Sequence, residues 1–255
     1  MSGPVPFGDV TLPAPPWRKP RRQTPPRRPL TQDLIVDTAL QILDREGLEA
    51  VSMRRVAQNL DTGPATLYAH VSNKEELLEL MLDRVTGEIE VPEPDPERWQ
   101  EQVKGIARSM FRVLSAHSDI ARVSLATIPT GPNALRVAER LLTILLAGGV
   151  PARTAAWGID RLFLYVSSDA YEGSLHLAKQ RASGKDLEGY IADFIGQVRD
   201  YFANLPPEHF PNTVKYVDEL VSADGDERFE FGLDLFVQGL AARVDTTPDG
   251  GQGRP

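Results

Sequence analysis

The 255-residue sequence contains no cysteine and only four histidines. Disulfides, thiolate metal sites and cysteine nucleophiles are therefore excluded, and the composition fits a reducing cytosol. The histidines do not pair at metal-ligand spacing; they are His70, His117, His176 and His209. No apolar run is long enough to span a bilayer, and the first residues lack the apolar core of a secretory signal. We therefore expect a cytoplasmic protein with no metal, no cofactor and no membrane partner.

Recognisable signatures of catalysis are also missing. The sequence has no P-loop, no G-x-G-x-x-G and no G-x-S-x-G motif. A hydrolase built from separate Ser, His and Asp residues is not excluded, but no nucleophile has a recognisable setting. The sequence therefore predicts that the protein is not an enzyme.

Positive charge is concentrated at one end of an otherwise acidic chain. The net charge is −8, yet residues 1–30 carry six basic residues against one acidic residue, a net charge of +5. This stretch is rich in proline and poor in apolar residues, so we predict a disordered basic arm. Two roles stay open for it, a solvated tail without function and an arm that contacts phosphates.

Helical periodicity begins at Thr31. Apolar residues recur every three or four positions between a predicted N-cap at Thr31 and a predicted C-cap at Gly47. The same spacing resumes after Ser52, which is a second predicted N-cap. Two amphipathic helices are therefore predicted before residue 61.

Two further helix starts follow within a dozen residues. Pro64 suits the first position of a helix, so a short third helix is predicted over 64–70. Ser72 and Glu75 form a predicted capping box that begins a fourth. A helix of about two turns is not stable alone, so the first two helices must hold it. Its outer face carries no acidic residue, and this combination is typical of a helix-turn-helix.

The remainder of the chain is also predicted to be helical. An amphipathic helix starts at Trp99, a second ends at Gly148, and a long helix runs from about 152 to 182. Shorter helices connect it to a last helix over about 226–243. No stretch has the alternation of a strand, so the predicted fold class is all-α.

The segment "SMRRVAQNLDTGPATLYAHVSNKEELL", with the helix before it, resembles the N-terminal domain of the tetracycline repressor (TetR) family. The later segments "WQEQVKGIARSMFRVLSAHSDIARVSLATIPT" and "FEFGLDLFVQGL" resemble the drug-binding and dimerising domain of the tetracycline-repressor subgroup. The resemblance implies a helix-turn-helix DNA-binding domain over 31–77 and a helical ligand-binding and dimerisation domain over 78–247. A disordered tail is expected over 248–255.

This resemblance implies a homodimeric transcriptional repressor that a small-molecule inducer releases from a palindromic double-stranded DNA operator. The DNA-facing positions of the family correspond here to Ser52, Arg54, Pro64, Ala65, Thr66, Tyr68, His70 and Lys74. The turn departs from the family, because Asp61 and Thr62 stand where Gly-Val is usual. The alternative function is an all-α enzyme or a helical interaction module that shares the head domain, but Arg54 and Lys74 beside a short helix favour DNA.

The last predicted helix has a glycine-containing apolar face. Its members are Phe229, Gly232, Leu233, Phe236, Gly239 and Leu240. Glycine inside a helix costs about 1 kcal/mol relative to alanine, so close approach of another helix is the simplest reason for it. The long helix over 152–182 is the predicted partner, either within the chain or across a dimer. Resemblance to the four-helix bundle of the family favours the dimer.

The predicted ligand site lies between the helices of 99–147 and the long helix. Its candidate residues are Ile106, Met110, Ser124, Thr127, Ile128 and Trp157. In the family a metal-binding histidine precedes the motif "L-x-T-x-P-T", which also contains an arginine. Here Ser124 takes the histidine position and Ile128 the arginine position. Because a hydroxyl is a poorer metal ligand than an imidazole, we expect an apolar, uncharged or weakly polar inducer other than magnesium-bound tetracycline.

Overall fold

The computed structural model describes residues 29–117, 119–125, 128, 130–222 and 225–244. Within these residues there are α-helices and one short 3-10 helix, Leu48–Ala50, but no strand, which confirms the all-α fold class. The α-helices are α1 (Gln32–Glu46), α2 (Met53–Asn59), α3 (Pro64–Leu67), α4 (Lys74–Thr86), α5 (Trp99–Ala116), α6 (Ile120–Ser124), α7 (Pro132–Ala147), α8 (Ala152–Ser183), α9 (Leu187–Ala203), α10 (Pro211–Lys215), α11 (Val217–Val221) and α12 (Gly225–Ala241). None of these described helices is long and apolar enough to cross a membrane. The predicted arm lies almost wholly outside the described residues, and the predicted tail lies wholly outside them.

The first two helices begin and end where their capping residues predict. The Thr31 hydroxyl accepts a hydrogen bond from the Leu34 amide at 3.2 Å, and Gly47 closes α1 with a positive φ of 84°. The Ser52 hydroxyl accepts from the Arg55 amide at 3.2 Å and so caps α2. These contacts involve residues three or four positions apart, which is why the sequence alone predicts them.

The third helix is shorter than the predicted span of 64–70. It ends at Leu67, because the amides of His70 and Val71 both donate to the Leu67 carbonyl, at 2.8 and 2.9 Å. These bonds close a turn at the end of the helix. Helix α3 is therefore a single turn that depends on its neighbours for its position.

The cap of the fourth helix lies one residue later than predicted. The Asn73 side chain accepts from the Glu76 amide at 2.7 Å, and the Glu76 carboxylate accepts from the Ser72 amide at 2.6 Å. The predicted pair of Ser72 with Glu75 is thus wrong. Asparagine caps a helix as well as serine does, and the two overlapping signals differ by one position.

The N-terminal helices share a core that continues into the rest of the chain. Helix α1 contacts α2 and α4, and α2 contacts α3. Helix α4 also contacts α5, α6 and α7, so the predicted boundary between 77 and 78 falls inside one continuous helix. The larger core lies among α5, α7 and α8, and α12 packs against α5 and α8. Helices α9, α10 and α11 pack mainly on each other and contain no buried residue.

Candidate functional site

The eight residues predicted to face DNA lie on α2, α3, the adjoining turns and the first residue of α4. Six of them are exposed, with Tyr68 at 52%, and Ser52 and Lys74 are partly buried. Only Leu67 of α3 is buried, so the helix turns its other side chains outward. Between Thr62 and Lys74 there is no acidic residue. This surface can therefore approach phosphates without repulsion from its own carboxylates.

The two arginines at the start of α2 have different environments. The Arg55 guanidinium donates to both carboxylate oxygens of Glu46, at 2.8 and 3.0 Å, and this hydrogen bonding holds the pKa of Glu46 below its usual range. The Arg54 side chain is exposed and forms no hydrogen bond or ion pair with any residue that the structure describes. Of the two arginines, Arg54 is therefore the one whose guanidinium N–H groups are available to donate to DNA.

The unusual turn before α3 keeps the backbone conformation that a glycine would adopt there. Asp61 has a φ of 49°, in the left-handed region, and it is the only non-glycine residue with positive φ in the described part of the chain. Aspartate tolerates this region better than most residues. The Thr62 amide also donates to the Ala57 carbonyl at 2.9 Å. The departure from the family sequence therefore need not displace α3.

A cavity of about 710 Å³ lies in the larger part of the molecule. Its wall includes residues of α4, α5, α7 and α8, together with Ser124, Leu125, Ile128 and residues 130–132. Most of the lining side chains are apolar, among them Leu80, Leu114 and Phe163. Volume and composition match those of small-molecule sites.

The structure brings only some of the predicted ligand residues together. Met110, Ser124 and Ile128 line the cavity. Ile106 is buried in the core beside it and is not part of the wall. Trp157 is 62% exposed on the outside of α8, where the Arg153 guanidinium lies 4.2 Å from its ring centre. Ile106 was predicted from its correspondence to a drug-site position of the family and Trp157 from its place on the long helix, and neither signal distinguishes a core or surface position from a cavity wall. Thr127 lies outside the described residues.

Sequence reasoning missed the contribution of α4 to this cavity. Asp83 accepts hydrogen bonds from the backbone amides of Asn133 and Ala134, each at 3.0 Å, and from the Asn133 side-chain amide at 3.0 Å. It therefore caps the N-terminus of α7 from another helix, 50 residues away. The packing leaves no room for a side chain at Gly131, whose Cβ would overlap the Asp83 carboxylate. No local pattern could have revealed this contact.

The predicted dimer face of α12 points largely into its own subunit. Phe229, Leu233 and Leu240 are buried, so they cannot form a contact with a second chain. A Cβ on Gly232 would lie 2.5 Å from the Tyr165 hydroxyl, which itself donates to the Phe229 carbonyl at 2.6 Å. Burial raises the pKa of Tyr165 to about 12. The glycine therefore makes room for a tyrosine of α8 within the chain.

The two remaining members of that predicted face are not buried. Phe236 is partly buried near Gly158, and Gly239 faces open space. The exposed apolar side chains of α12 are Phe231 and Leu235, at 67% and 54%. They lie on a neighbouring stripe of the helix, which the sequence analysis did not select.

Two ion pairs flank the buried face of α12 and are compatible only with this orientation of the helix. Arg108 of α5 pairs with Glu230 at 2.7 Å and Lys104 pairs with Asp234 at 2.7 Å. Hydrogen bonding from Arg108 keeps the pKa of Glu230 below its usual range. The two carboxylates lie on α12 next to Phe231 and Leu235, so the apolar stripe stays turned outward.

Comparison with known proteins identifies both parts of the chain. The family described as "Bacterial regulatory proteins, tetR family" matches residues 35–81, and "Tetracyclin repressor-like, C-terminal domain" matches residues 91–244. The repressor DrrR1 of Streptomyces coeruleorubidus is 32% identical over 229 residues, 89% of this chain and 82% of that protein. A regulator of the helix-turn-helix type from Saccharopolyspora erythraea is 36% identical over 133 residues, and this match covers 52% of the chain and only 56% of that regulator.

Solved structures agree with these matches. Apo ActR from Streptomyces coelicolor is 45% identical, with a TM-score of 0.76 over 86% of this chain and 100% of that one. ActR in complex with actinorhodin gives a TM-score of 0.77 at the same identity and coverage. These relatives are regulators and not enzymes, as the sequence predicts. The chain therefore belongs to the TetR family of bacterial transcriptional regulators, with a tetracycline-repressor-like C-terminal domain.

Proposed function

We propose that this protein is a homodimeric repressor that binds a palindromic operator and leaves it when a small molecule fills the cavity. The exposed surface of α2, α3 and Lys74, which has no acidic residue between Thr62 and Lys74, supports DNA binding most directly. On this proposal each subunit places α3 in the major groove. The two half-sites are then separated by about one helical turn, roughly 34–36 Å, or slightly more.

The proposed DNA contacts divide by chemistry. Arg54 has free donors and the planar shape that reads guanine, so we assign it to base recognition. Thr66, Tyr68 and Lys74 carry hydroxyl or ammonium donors suited to phosphates. Ser52, Pro64, Ala65 and His70 complete the surface that faces the operator.

We expect Arg54→Ala to weaken operator binding by about 1–3 kcal/mol and to relax the preference at one base pair. The matched control is Arg55→Ala, which removes the same charge one residue later. Because Arg55 is already paired with Glu46, Arg55→Ala should reduce operator affinity less and should leave base preference unchanged. Fluorescence anisotropy with the DNA upstream of the gene and single-base variants of it measures both effects. Equal losses for the two variants would contradict the assignment of Arg54.

The dimer contact proposed here differs from the predicted one. We infer that Phe231 and Leu235 of α12, with Leu164 of α8, which also lines the cavity, form an apolar surface between two copies of the chain. Exposed apolar side chains on neighbouring helices are typical of such an interface. Crossing of these helices in both subunits would form a four-helix bundle across a two-fold axis.

A pair of substitutions separates this contact from the core beneath it. Leu235→Glu should weaken dimerisation at least about tenfold, because it places a charge in an apolar interface. Gly232→Leu should instead lower the free energy of unfolding by about 1–3 kcal/mol, through overlap with Tyr165. Sedimentation at several concentrations and urea unfolding give the two quantities. A Leu235→Glu variant that stays dimeric at the lowest concentration would rule out this surface.

The cavity is connected to the DNA-binding surface through α4. Residues of α4 line the cavity, and the same helix contacts α1. A ligand that fits the cavity in one arrangement of α4 only would therefore change the position of the head. It can release DNA only through its difference in affinity for the two arrangements.

Magnesium-bound tetracycline should not bind in the manner of the family. The Ser124 hydroxyl already donates to the Ala121 carbonyl at 2.7 Å, and Ile128 supplies no charge. The described residues include no group of three histidine, aspartate or glutamate side chains that could hold a metal ion. In calorimetric titrations we expect no heat of tetracycline binding that requires magnesium. Tight binding that disappears with a chelator would restore the ligand of the family.

A further inference from the structure

The charged side chains in the wall of the cavity all have the same sign. Four carboxylates line it, from Glu76, Glu79, Asp83 and Asp160, and no lysine, arginine or histidine is among its described lining residues. A ligand carboxylate would therefore lose water without gaining a cationic partner. A ligand cation would meet a negative potential.

The N-terminus of α7, which carries a partial positive charge, is already paired with a carboxylate. Gly131 and Pro132 place the N-terminus of α7 at the cavity, and a helix N-terminus attracts anions. The backbone amides of Asn133 and Ala134 at this end of the helix, however, donate to the Asp83 carboxylate. An incoming anion would have to displace this carboxylate.

The four carboxylates differ in whether they already have a hydrogen-bond or ion-pair partner within the protein. Glu76 accepts from the Ser72 amide, Asp83 caps α7, and Asp160 pairs with Arg161 at 2.5 Å. Glu79 is exposed at the edge of the cavity and has no hydrogen bond or ion pair with the described residues. Its charge is therefore the one available to a ligand.

The remainder of the wall favours an apolar body. Leu82, Leu114 and Phe163 supply a rigid apolar surface, and Met110 adapts to irregular shapes. Hydroxyls such as those of Thr86 and Ser167 add a few neutral polar contacts. An apolar molecule that carries one amine satisfies both parts of this wall.

We propose that the cavity selects cationic ligands, apolar molecules with a protonated or quaternary amine, and that Glu79 pairs with the positive charge. This inference rests on the proposed function as a ligand-controlled regulator and deepens it by giving the inducer a charge. It replaces the uncharged inducer expected from the sequence, which did not include α4 in the site. A carboxylate added to such a ligand weakens its binding, because the wall offers that carboxylate no cationic partner.

A matched pair of dyes tests the proposal on the full-length protein without DNA. Rhodamine B ethyl ester is a cation, and rhodamine B has the same cationic fused ring system but adds a free carboxylate, so it has no net charge. We expect fluorescence anisotropy to show about tenfold tighter binding of the ester. Glu79→Gln should weaken binding of the ester about fivefold, the effect of one partly exposed ion pair, and binding of rhodamine B to a similar extent, because both dyes carry the ring cation.

Two controls locate the effect. Glu75→Gln removes the same charge from the same helix at an exposed position outside the cavity, and both dyes should bind as before. Ala138→Phe fills the cavity and should weaken binding of the ester. The proposal is overturned by equal affinity for the two dyes, by a preference for rhodamine B, or by no saturable binding of the ester. It is also overturned if Glu79→Gln has no effect or if binding is indifferent to Ala138→Phe. Since no operator is present, failure here is distinct from failure of DNA binding, which the Arg54 experiment measures.

Discussion

Leu67→Ala is expected to abolish detectable operator binding and to lower the free energy of unfolding by about 2–5 kcal/mol. Leu67 is fully buried and is the only buried residue of α3. A helix of one turn has almost no stability of its own, so this side chain fixes its position against α2. Removing it leaves a cavity beneath the proposed DNA-facing surface.

The matched control for this substitution is Leu135→Ala. It makes the same chemical change on α7, at a side chain that is largely exposed and outside the cavity. Unfolding should change by less than about 0.5 kcal/mol and operator affinity should be unaffected. Thermal or urea unfolding and anisotropy with operator DNA measure the two effects. A Leu67→Ala variant that binds the operator with full affinity would show that α3 is held by something else.

Asp83→Ala is expected to lower the free energy of unfolding by about 2–3 kcal/mol. The substitution removes three hydrogen bonds at 3.0 Å and leaves the amides of Asn133 and Ala134 without a partner in a partly buried position. Asp83→Asn should restore part of the loss, because an amide oxygen still accepts but carries no charge to complement the helix end.

The control for Asp83 is Asp37→Ala on α1. Asp37 forms an exposed ion pair with Arg84 at 2.8 Å, and pairs of this kind contribute at most about 1 kcal/mol. The same chemical change should therefore have a clearly smaller effect in urea unfolding. Similar losses at the two positions would mean that the cap on α7 contributes no more to stability than a solvated charge.

Local signals account for most of what the sequence predicts about the fold. The caps at Thr31, Gly47 and Ser52 use hydrogen bonds between residues a few positions apart, so their spacing is visible in the sequence. The start of α4 was misplaced by one residue because Ser72 and Asn73 are equally good caps. The cap that forms depends on whether the carboxylate of Glu75 or that of Glu76 can accept a hydrogen bond from a backbone amide just before the helix.

Features that depend on distant residues could not be predicted in the same way. The buried stripe of α12 has the same sequence pattern whether it packs within a chain or between two chains. Only the position of Tyr165 against Gly232 shows that it packs within the chain. The resemblance to the family predicts Ser124 and Ile128 at the cavity through a motif and Met110 through a helix position, whereas Asp83 joins the wall through a contact 50 residues away.

Helix α4 is continuous between the proposed DNA-facing surface and the cavity wall, so a rigid tilt of the helix would move both of its ends. Its 13 residues span about 20 Å at 1.5 Å per residue, from the Asn73 cap beside the proposed DNA-facing surface to the end near the cavity. A tilt of about 5° over that length displaces the far end by about 2 Å, a shift of the size that separates states of other regulated proteins. In the proposed dimer the α4 helices of both subunits tilt by symmetry, so the two displacements add in the distance between the two DNA-binding domains. Because the spacing of major grooves on DNA is fixed, a rigid rotation of this size would be enough for release, with no helix unfolding.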